Sequence, residues 1–393
     1  MQQEPSFTLT AGPVIASDRV REALGAQIVY DYDVPFLDRF RRTQEKVAQL
    51  FGTQSDVVLM QGEAVLGLEA ATRGIVTADT TCLNLVSGVY SKWFGEKLRT
   101  LGPKKVIDIE VPFDSAIDPE AVEGAFRDHP EIGMVSVTHC ETPSGTLNPI
   151  DEIGQIARAH GAMTICDAVS SLGGEPVRVD EWGLDLCVSA PQKCLGAAPG
   201  LSMVTVSERA WEVMRGNPNA PRRSYLSLLD WKERWEEQGQ YPYTPSVTDV
   251  TGLEAACDEI LEEGIDQSIE RHRHAARACR AGVRAAGLEV WPRTEEIAAS
   301  CVTAVKVPEG VDEAELRRVT RDRSGVIISG AQGDLVGKVV RIGHMGVVSR
   351  SLYPLIGVVA VADAVRELGV PVDLGAAAEA VVAALSEGVS AQA

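Results

Sequence analysis

Short apolar runs alternate with helical patterns between about residues 45 and 210. The helix-like stretches are Ala64–Gly74, Lys92–Leu101, Pro119–Asp128 and Ile150–His160. Seven apolar runs predict strands at Val57–Gln61, Cys82–Val86, Val106–Val111, Met134–His139, Met163–Val169, Leu186–Ala190 and Leu201–Val206. Alternation of this kind predicts an α/β fold, in which a mainly parallel sheet carries helices on both faces. Ligands of such sheets bind at the carboxyl ends of the strands.

Two charged residues follow predicted strands in this sheet. Asp167 lies in the apolar run Met163–Val169, and Lys193 follows Leu186–Ala190. Because parallel strands end at one edge, we expect the two side chains to converge there. A lysine amine forms a Schiff base with an aldehyde, and an aspartate keeps a proton on a pyridine nitrogen, so the pair suits pyridoxal chemistry. The alternative is a solvated surface lysine and a helix-capping aspartate.

Composition narrows the class of protein. The chain has 56 acidic and 37 basic residues among 393, a net charge of −19, which argues against nucleic acid or an anionic membrane as partner. Its eight cysteines form no CxxC pair, which predicts reduced thiols of a cytoplasmic protein and no zinc site. His272 and His274 lie in the basic stretch Arg271–Arg284, where we expect a solvated or salt-bridged face and no metal. Neither a signal peptide nor a membrane span is expected.

The order of the elements predicts two domains behind an N-terminal arm. We assign the arm to residues 1–18, a large domain to 19–264 and a small α+β domain to 265–393. An aromatic stretch, Pro218–Pro245, is either an irregular packed segment or a subunit-interface loop. The later elements are a helical region at Asp249–Gly287, strands at Ala299–Val307, Val326–Ser329 and Val339–Gly343, a helix at Asp312–Ser324 and one long terminal helix.

Eight segments, spread essentially end to end, resemble the class V aminotransferases of the fold type I pyridoxal-enzyme superfamily, in particular the alanine–glyoxylate aminotransferase group. They begin at Leu9, Tyr30, Gly62, Ser87, Thr142, Asp167, Lys193 and Arg341 and read LTAGPV, YDYD, GEAVLGLEA, SGVY, TPSGT, DAVSS, KCLG and RIGHMG. The resemblance implies a seven-stranded large domain and a small C-terminal domain. It also implies a homodimer or homotetramer with the active site near the dimer interface.

The resemblance implies roles around the B6 ring. Lys193 would form the Schiff base and then carry the proton between substrate and ring, which requires an amine with a lowered pKa. Asp167 would pair with the pyridine nitrogen, and Tyr90 would stack on the ring. Thr142 would hydrogen-bond near the ring hydroxyl. The alternatives are an ordinary core tyrosine at position 90 and a loop-capping threonine before Pro143.

The resemblance also implies a site for the carboxylate of a keto acid or amino acid. The Arg341 guanidinium matches a carboxylate with two parallel hydrogen bonds. The backbone of Gly12 would approach the same carboxylate, and Tyr30 would line the entrance. A structural ion pair for Arg341 and simple packing for Tyr30 are the alternatives. Gln332 stands where one subgroup of the family carries a second arginine, and loss of that positive charge implies either weaker pyruvate binding or a different preferred keto acid.

Glu63 decides between two functions. In most of the family the turn at this position binds the cofactor phosphate at a helix N-terminus, and a carboxylate there repels it. We therefore expect the unphosphorylated vitamer, with the amine of pyridoxamine moved to pyruvate to give pyridoxal and L-alanine. Gln192 resembles phosphate-handling relatives, and the segment that begins at Thr244 resembles the one by which a neighbouring subunit reaches the cofactor phosphate. They keep open an alternative in which pyridoxal 5′-phosphate is bound and alanine or serine is transaminated with glyoxylate or pyruvate.

Overall fold

The structure, a computed structural model, describes residues 7–390. Within that range the strands are β1 Phe7–Thr8, β2 Asp56–Gln61, β3 Thr81–Val86, β4 Lys105–Glu110, β5 Ile132–Thr138, β6 Cys140–Glu141, β7 Thr146–Leu147, β8 Met163–Asp167, β9 Leu186–Ser189, β10 Leu201–Val206, β11 Val302–Lys306, β12 Val326–Ile327, β13 Ser329–Gly330 and β14 Val339–Gly343.

The α-helices of the same range are α1 Asp18–Leu24, α2 Val34–Phe51, α3 Ala64–Ile75, α4 Val89–Thr100, α5 Pro119–Asp128, α6 Ile150–Ala159, α7 Val179–Trp182, α8 Glu208–Gly216, α9 Leu228–Asp230, α10 Val247–Glu263, α11 Ile265–Ala285, α12 Glu313–Ser324, α13 Tyr353–Glu367 and α14 Leu374–Ser390. A π-helical turn covers Trp231–Glu236, and short 3₁₀ turns cover Gly333–Leu335 and Gly346–Ser349.

Seven strands form the central sheet in the order β2-β10-β9-β8-β5-β3-β4. Strand β10 is antiparallel to both of its neighbours, and the remaining pairs are parallel. The inner strands are almost entirely buried because helices cover both faces, which explains their unbroken apolar runs. The predicted α/β fold is confirmed. The carboxyl ends of β2, β3, β5, β8 and β9 meet at one edge.

The C-terminal part of the chain has its own sheet and its own apolar core. Strands β11, β14 and β13 form an antiparallel sheet against which helices α11 and α12 pack, and helices α13 and α14 pack against those helices and each other. Strand β1 pairs in parallel with β12, which ties the N-terminal arm to this part of the molecule. The boundary at Gly264, between α10 and α11, stays a prediction. The expected single terminal helix is wrong: α13 and α14 are separated by Leu368–Asp373, which contains Gly369 and Pro371.

The aromatic stretch Pro218–Pro245 packs against α2. Trp231, Trp235 and Tyr241 are buried, and all three rings contact Phe40. Such clusters stabilise irregular backbone, because large rings bury much apolar area at low entropic cost. This agrees with a packed irregular segment, and a role in subunit contacts stays a prediction. Among residues 7–390, no helix combines the length and the apolar character needed to cross a membrane.

Candidate active site

A cavity of about 380 Å³ opens at the carboxyl edge of the central sheet. Its walls come from the residues that follow β2, β5, β8 and β9, from the N-terminal turns of α3 and α4, and from the loop after β13. The lining includes Glu63, Tyr90, Trp93, Cys140, Asp167, Lys193 and Gln332. Five residues predicted separately from the sequence, Glu63, Tyr90, Asp167, Lys193 and Gln332, therefore share one cavity.

Lys193 and Asp167 are both partly buried and both face this cavity. Lys193 Nζ donates a hydrogen bond of 2.6 Å to the carbonyl oxygen of Ala11. Burial, and then the positive charge of Arg341, lower the pKa of Lys193. Asp167 Oδ1 accepts a hydrogen bond of 2.9 Å from the Val169 backbone N–H, which fixes the carboxyl group. Burial raises the pKa of Asp167 to about 7. The lowered pKa of Lys193 favours its unprotonated amine.

Tyr90 stands on the first turn of α4 and is held by a buried carboxylate. Glu141 Oε2 accepts from the Tyr90 backbone N–H at 3.0 Å, and Oε1 accepts from the Ser91 N–H at 2.7 Å. These contacts satisfy two donors at the helix N-terminus that would otherwise be unpaired. Trp93, on the same helix, packs against the Tyr90 ring at 5.7 Å in an edge-to-face arrangement. Glu141 therefore fixes the backbone of Tyr90, and Trp93 supports its ring.

Glu63 caps the N-terminus of α3 at the rim of the cavity. Its Oε2 accepts from the Val65 backbone N–H at 3.1 Å, and its Oε1 accepts from Gln192 Nε2 at 3.1 Å. The turn before it requires glycine, because Gly62 has φ 146° and an added Cβ would lie 2.6 Å from Leu66 Cδ2. The carboxylate thus occupies the helix N-terminus where an anion of a ligand would otherwise bind.

Two buried polar atoms beside the cavity have no hydrogen-bond partner among the described residues. They are Thr142 Oγ1, which follows Glu141, and Gln192 Oε1, whose amide nitrogen holds Glu63. Buried polar groups are normally paired, so two such atoms next to an open cavity indicate a ligand with polar substituents. Together with the amine of Lys193 and the acid of Asp167, they fit a B6 heterocycle.

Arg341 lies on β14 and is almost fully buried, with 6% of its surface exposed. Its Nε and Nη2 donate to the carbonyl oxygen of Gly330 at 2.8 and 2.5 Å. No carboxylate pairs with it within 4.0 Å among the described residues, so a structural ion pair does not account for it. A buried guanidinium without a counter-ion is a strong site for a carboxylate ligand. Burial lowers the pKa of Arg341.

Gly12 passes directly over Lys193. Its φ is 102°, and an added Cβ would lie 2.7 Å from Lys193 Nζ. Only glycine allows this close approach, as expected for a backbone that shares a ligand with the lysine. Ser329 Oγ accepts from the Ala11 N–H at 3.0 Å and connects this segment to the loop beside Arg341.

Six of the predicted residues do not line the cavity, although four of them, Gly12, Thr142, Gln192 and Arg341, lie beside residues that do. The other two are exposed. Tyr30 is 70% exposed and contacts Tyr32 with a ring-centroid distance of 6.0 Å. Thr244 is also exposed on the surface of the single chain. Their proposed roles involve an entrance and a neighbouring subunit, so both stay predictions. Gln332 does line the cavity, near Tyr90.

Some of the residues that shape the site were not predicted from the sequence. Glu141 is the clearest case, because its carboxylate acts on a helix 50 residues away along the chain. A usable signal was present: α4 begins after Gly88, which has no capping side chain, and an acidic residue directly precedes Thr142. Trp93 and Cys140 also line the cavity, and no local pattern marks them.

The prediction for His272 is wrong. It is fully buried, with Nδ1 2.7 Å from the Ser268 carbonyl oxygen and Nε2 accepting from the Gly346 N–H at 2.9 Å. His274 is partly buried, and its Nε2 contacts the Leu385 carbonyl oxygen at 3.0 Å. Across residues 7–390, no group of three or more histidine, cysteine or acidic side chains is arranged to hold a metal ion.

Comparison with known proteins gives consistent matches over most of the chain. A family model described as "Aminotransferase class-V" matches residues 21–354. The pyridoxamine–pyruvate transaminase of Mesorhizobium japonicum is 44% identical over 382 residues, which cover 97% of each chain. The (S)-ureidoglycine–glyoxylate transaminase of Bacillus subtilis is 28% identical over 376 residues, which cover 90% of this chain and 89% of that one.

The structural comparison agrees. The crystal structure of pyridoxamine–pyruvate aminotransferase from Mesorhizobium loti matches with a TM-score of 0.96 at 44% identity, covering 100% of this chain and 98% of that chain. Ureidoglycine–glyoxylate aminotransferase from Bacillus subtilis matches with a TM-score of 0.91 at 27% identity, covering 96% and 97% of the two chains. The similarity therefore includes both the central sheet and the C-terminal part.

Proposed function

The chain belongs to the class V aminotransferases, and we propose that it transfers the amine of pyridoxamine to pyruvate, giving pyridoxal and L-alanine. Its similarity to enzymes named for that reaction supports the proposal. In this proposal the unphosphorylated B6 compound enters and leaves as a substrate, whereas most aminotransferases keep a phosphorylated one as a resident cofactor.

The observation that carries the proposal is the position of Glu63. Its carboxylate caps α3 and is held from the other side by Gln192. A phosphate at this helix N-terminus would compete with Glu63 for the same backbone donor and would face its negative charge. A hydroxymethyl group, which is what pyridoxamine carries instead, is neutral and fits beside a carboxylate that accepts hydrogen bonds.

The B6 ring supplies an electron sink and an aldehyde or amine that exchanges with the substrates. The residues of the chain position the ring, set its protonation and transfer the proton. Asp167 holds the ring nitrogen in its protonated form, because a carboxylate partner favours the charged pyridine. The Lys193 amine, with its lowered pKa, takes up and returns the proton between the two reacting carbons. Tyr90, whose backbone is held by Glu141, would stack on the ring face.

Arg341 selects the second substrate. Its buried guanidinium binds the carboxylate of pyruvate, and the Gly12 backbone closes over the same end of the cavity. Gln332 lines the cavity as a neutral amide, and Arg341 provides one guanidinium, which suits a keto acid with one carboxylate. We therefore propose a small monocarboxylic keto acid as the acceptor.

The test is an assay of pyridoxal formation without any phosphate ester. Pyridoxamine is mixed with pyruvate, glyoxylate or oxaloacetate, and we expect turnover to be fastest with pyruvate. Lys193→Ala should abolish turnover and the visible absorbance that bound pyridoxal produces. Turnover by Lys193→Ala at near the wild-type rate would show that the lysine is not the catalytic amine. Wild-type activity that depends on an added phosphate ester would contradict pyridoxamine as the substrate.

A second candidate keeps the fold and changes the substrate. Glu63 is exposed in the single chain, so a turned-out rotamer leaves α3 open to the phosphate of pyridoxal 5′-phosphate. The enzyme would then transaminate alanine or serine with glyoxylate or pyruvate. Under either candidate we propose a cytoplasmic homodimer or homotetramer, in which the exposed Thr244 of a neighbouring subunit lies near the ring. Binding of pyridoxal compared with its phosphate distinguishes the two candidates.

A further inference from the structure

Three cysteines form a buried group behind Lys193, which we call the cysteine cluster: Cys140, Cys194 and Cys301. They share one apolar core, and none is more than 2% exposed. The Sγ atoms of Cys140 and Cys301 lie 3.1 Å apart. The catalytic sequence proposed above uses none of these thiols, although Cys194 directly follows Lys193.

The close pair connects two separate parts of the molecule. Cys140 begins β6, after the central strand β5, and Cys301 directly precedes β11 of the C-terminal sheet. The backbones are already tied beside the pair, because the Leu147 N–H donates to the Ile297 carbonyl at 2.8 Å and the Ala299 N–H donates to the Gly145 carbonyl at 2.9 Å. The two thiols thus face each other across a well-fixed junction.

Cys140 is the member of the pair that a small molecule can reach. It lines the same cavity as Lys193 and Asp167, although its own exposed area is small. A second adjacent pair, Cys166 and Cys187, sits side by side on β8 and β9 inside the central sheet and does not line this cavity. The cavity therefore gives access to one pair of neighbouring thiols and not to the other.

We propose that Cys140 and Cys301 are an oxidative modification site, which a peroxide entering the cavity converts into a disulfide. The first thiol attacks one peroxide oxygen and releases water, leaving a sulfenic acid. The second thiol attacks that sulfur and expels a second water. In total two S–H bonds and one O–O bond are lost, one S–S bond forms, the sulfurs are oxidised and the peroxide is reduced to two waters.

Closure of the disulfide disturbs the active site. A disulfide bond of about 2.05 Å requires the two sulfurs to approach by roughly 1 Å. Cys140 is followed by Glu141, which holds the first turn of α4, and by Thr142 beside the cavity. Because a displacement of about 1 Å can lower a rate by roughly 100-fold, we expect a loss of that order that a dithiol reductant reverses.

Peptide mapping of the intact protein tests the site without reference to any substrate. The protein is treated with hydrogen peroxide, its remaining thiols are alkylated, and the peptides are analysed without reduction. We expect one linkage, between the peptides that contain Cys140 and Cys301, and none between Cys166 and Cys187. Absence of the Cys140–Cys301 linkage, or preferential linkage of another pair, overturns the proposal.

Two variants connect the linkage to activity, each compared with its own untreated sample. Cys301→Ser should lose less than about twofold on peroxide treatment, whereas Cys187→Ser, the matched control from the other pair, should lose activity as the wild type does. Equal losses in Cys301→Ser and the wild type contradict the proposal. If Cys301→Ser does not fold, Cys140→Ala replaces it, and the wild-type map decides the question by itself. Because the map needs no turnover, it is independent of the proposed substrates.

Discussion

Removal of the Glu63 charge should admit the phosphate ester of pyridoxal. Glu63→Gln is the sharpest change, because the amide oxygen can still accept from the Val65 N–H and cap α3. The charge is lost, and the contact with Gln192 is kept when the Gln192 amide turns so that its unpaired Oε1 accepts from the new amide nitrogen. We expect pyridoxal to bind with nearly unchanged affinity and pyridoxal 5′-phosphate to bind more tightly.

The size of the effect follows from the exposure of the carboxylate. Two unit charges about 4 Å apart interact by about 1 kcal/mol in water and about 4 kcal/mol in a partly buried setting. Glu63 is exposed in the chain, so the lower figure applies, and a phosphate charge near −2 doubles it to about 2 kcal/mol. That corresponds to roughly a 30-fold shift in the ratio of the two dissociation constants.

The assay is an equilibrium titration of each vitamer, followed by visible absorbance. Glu96→Gln is the matched control, because Glu96 is an exposed glutamate on α4 that does not line the cavity. The shift should shrink between about 0.01 and 1 M salt, as the Debye length falls from about 30 to 3 Å. A ratio that stays within about twofold of the wild type, or an equal shift in Glu96→Gln, refutes the argument.

Two further predictions concern the other end of the cavity and the fold. Arg341→Lys should raise KM for the keto acid by roughly 10- to 100-fold, because a forked pair of charged hydrogen bonds is replaced by a single contact; KM for pyridoxamine should change less than about twofold, and an equal rise in both constants in steady-state kinetics contradicts the assignment. Burial, and then the charge of Arg271, lower the pKa of His272 to about 3 from 6.5. As pH falls, His272 therefore becomes protonated in the unfolded state before it does in the folded state. The free energy of unfolding consequently decreases by about 1.4 kcal/mol per pH unit between pH 6.5 and about 3. In urea unfolding at several pH values, the free energy of unfolding of His272→Gln should depend less steeply on pH than that of the wild type. An equal pH dependence in the two proteins would contradict the prediction.

The strands of the central sheet could be predicted to within two residues, because buried parallel strands need apolar residues on both faces. The strand predicted at Val57–Gln61 spans Asp56–Gln61 in the structure, and the strand predicted at Leu201–Val206 has those bounds. Helix α4 was less predictable. It begins at Val89 and not at Lys92, because Glu141 supplies the cap from another part of the chain. A local sequence pattern cannot predict such a contact.

The same difference between local sequence pattern and tertiary contact explains which features of the active site could be predicted. Asp167 ends strand β8 and Lys193 follows strand β9, so the direction of the sheet alone brings them to one edge. His272 has a basic local sequence, yet it is buried, because its two ring nitrogens are matched by Ser268 and by Gly346 from a distant loop. The cysteine cluster depends on the meeting of two segments 161 residues apart. These features come from tertiary packing, which neither periodicity nor residue spacing encodes.

The distribution of charge around the cavity gives a physical reason for the proposed choice of substrates. Helix N-termini attract anions, and two of them face this cavity, at α3 and α4. Both are already occupied by carboxylates of the chain, Glu63 at α3 and Glu141 at α4. Arg341, which lies beside Tyr90, has no carboxylate within 4.0 Å among residues 7–390. A substrate pair with one carboxylate and no phosphate satisfies this arrangement, because each negative charge then meets a positive group. A phosphorylated ring would add a second anion where the helix dipole has already been neutralised.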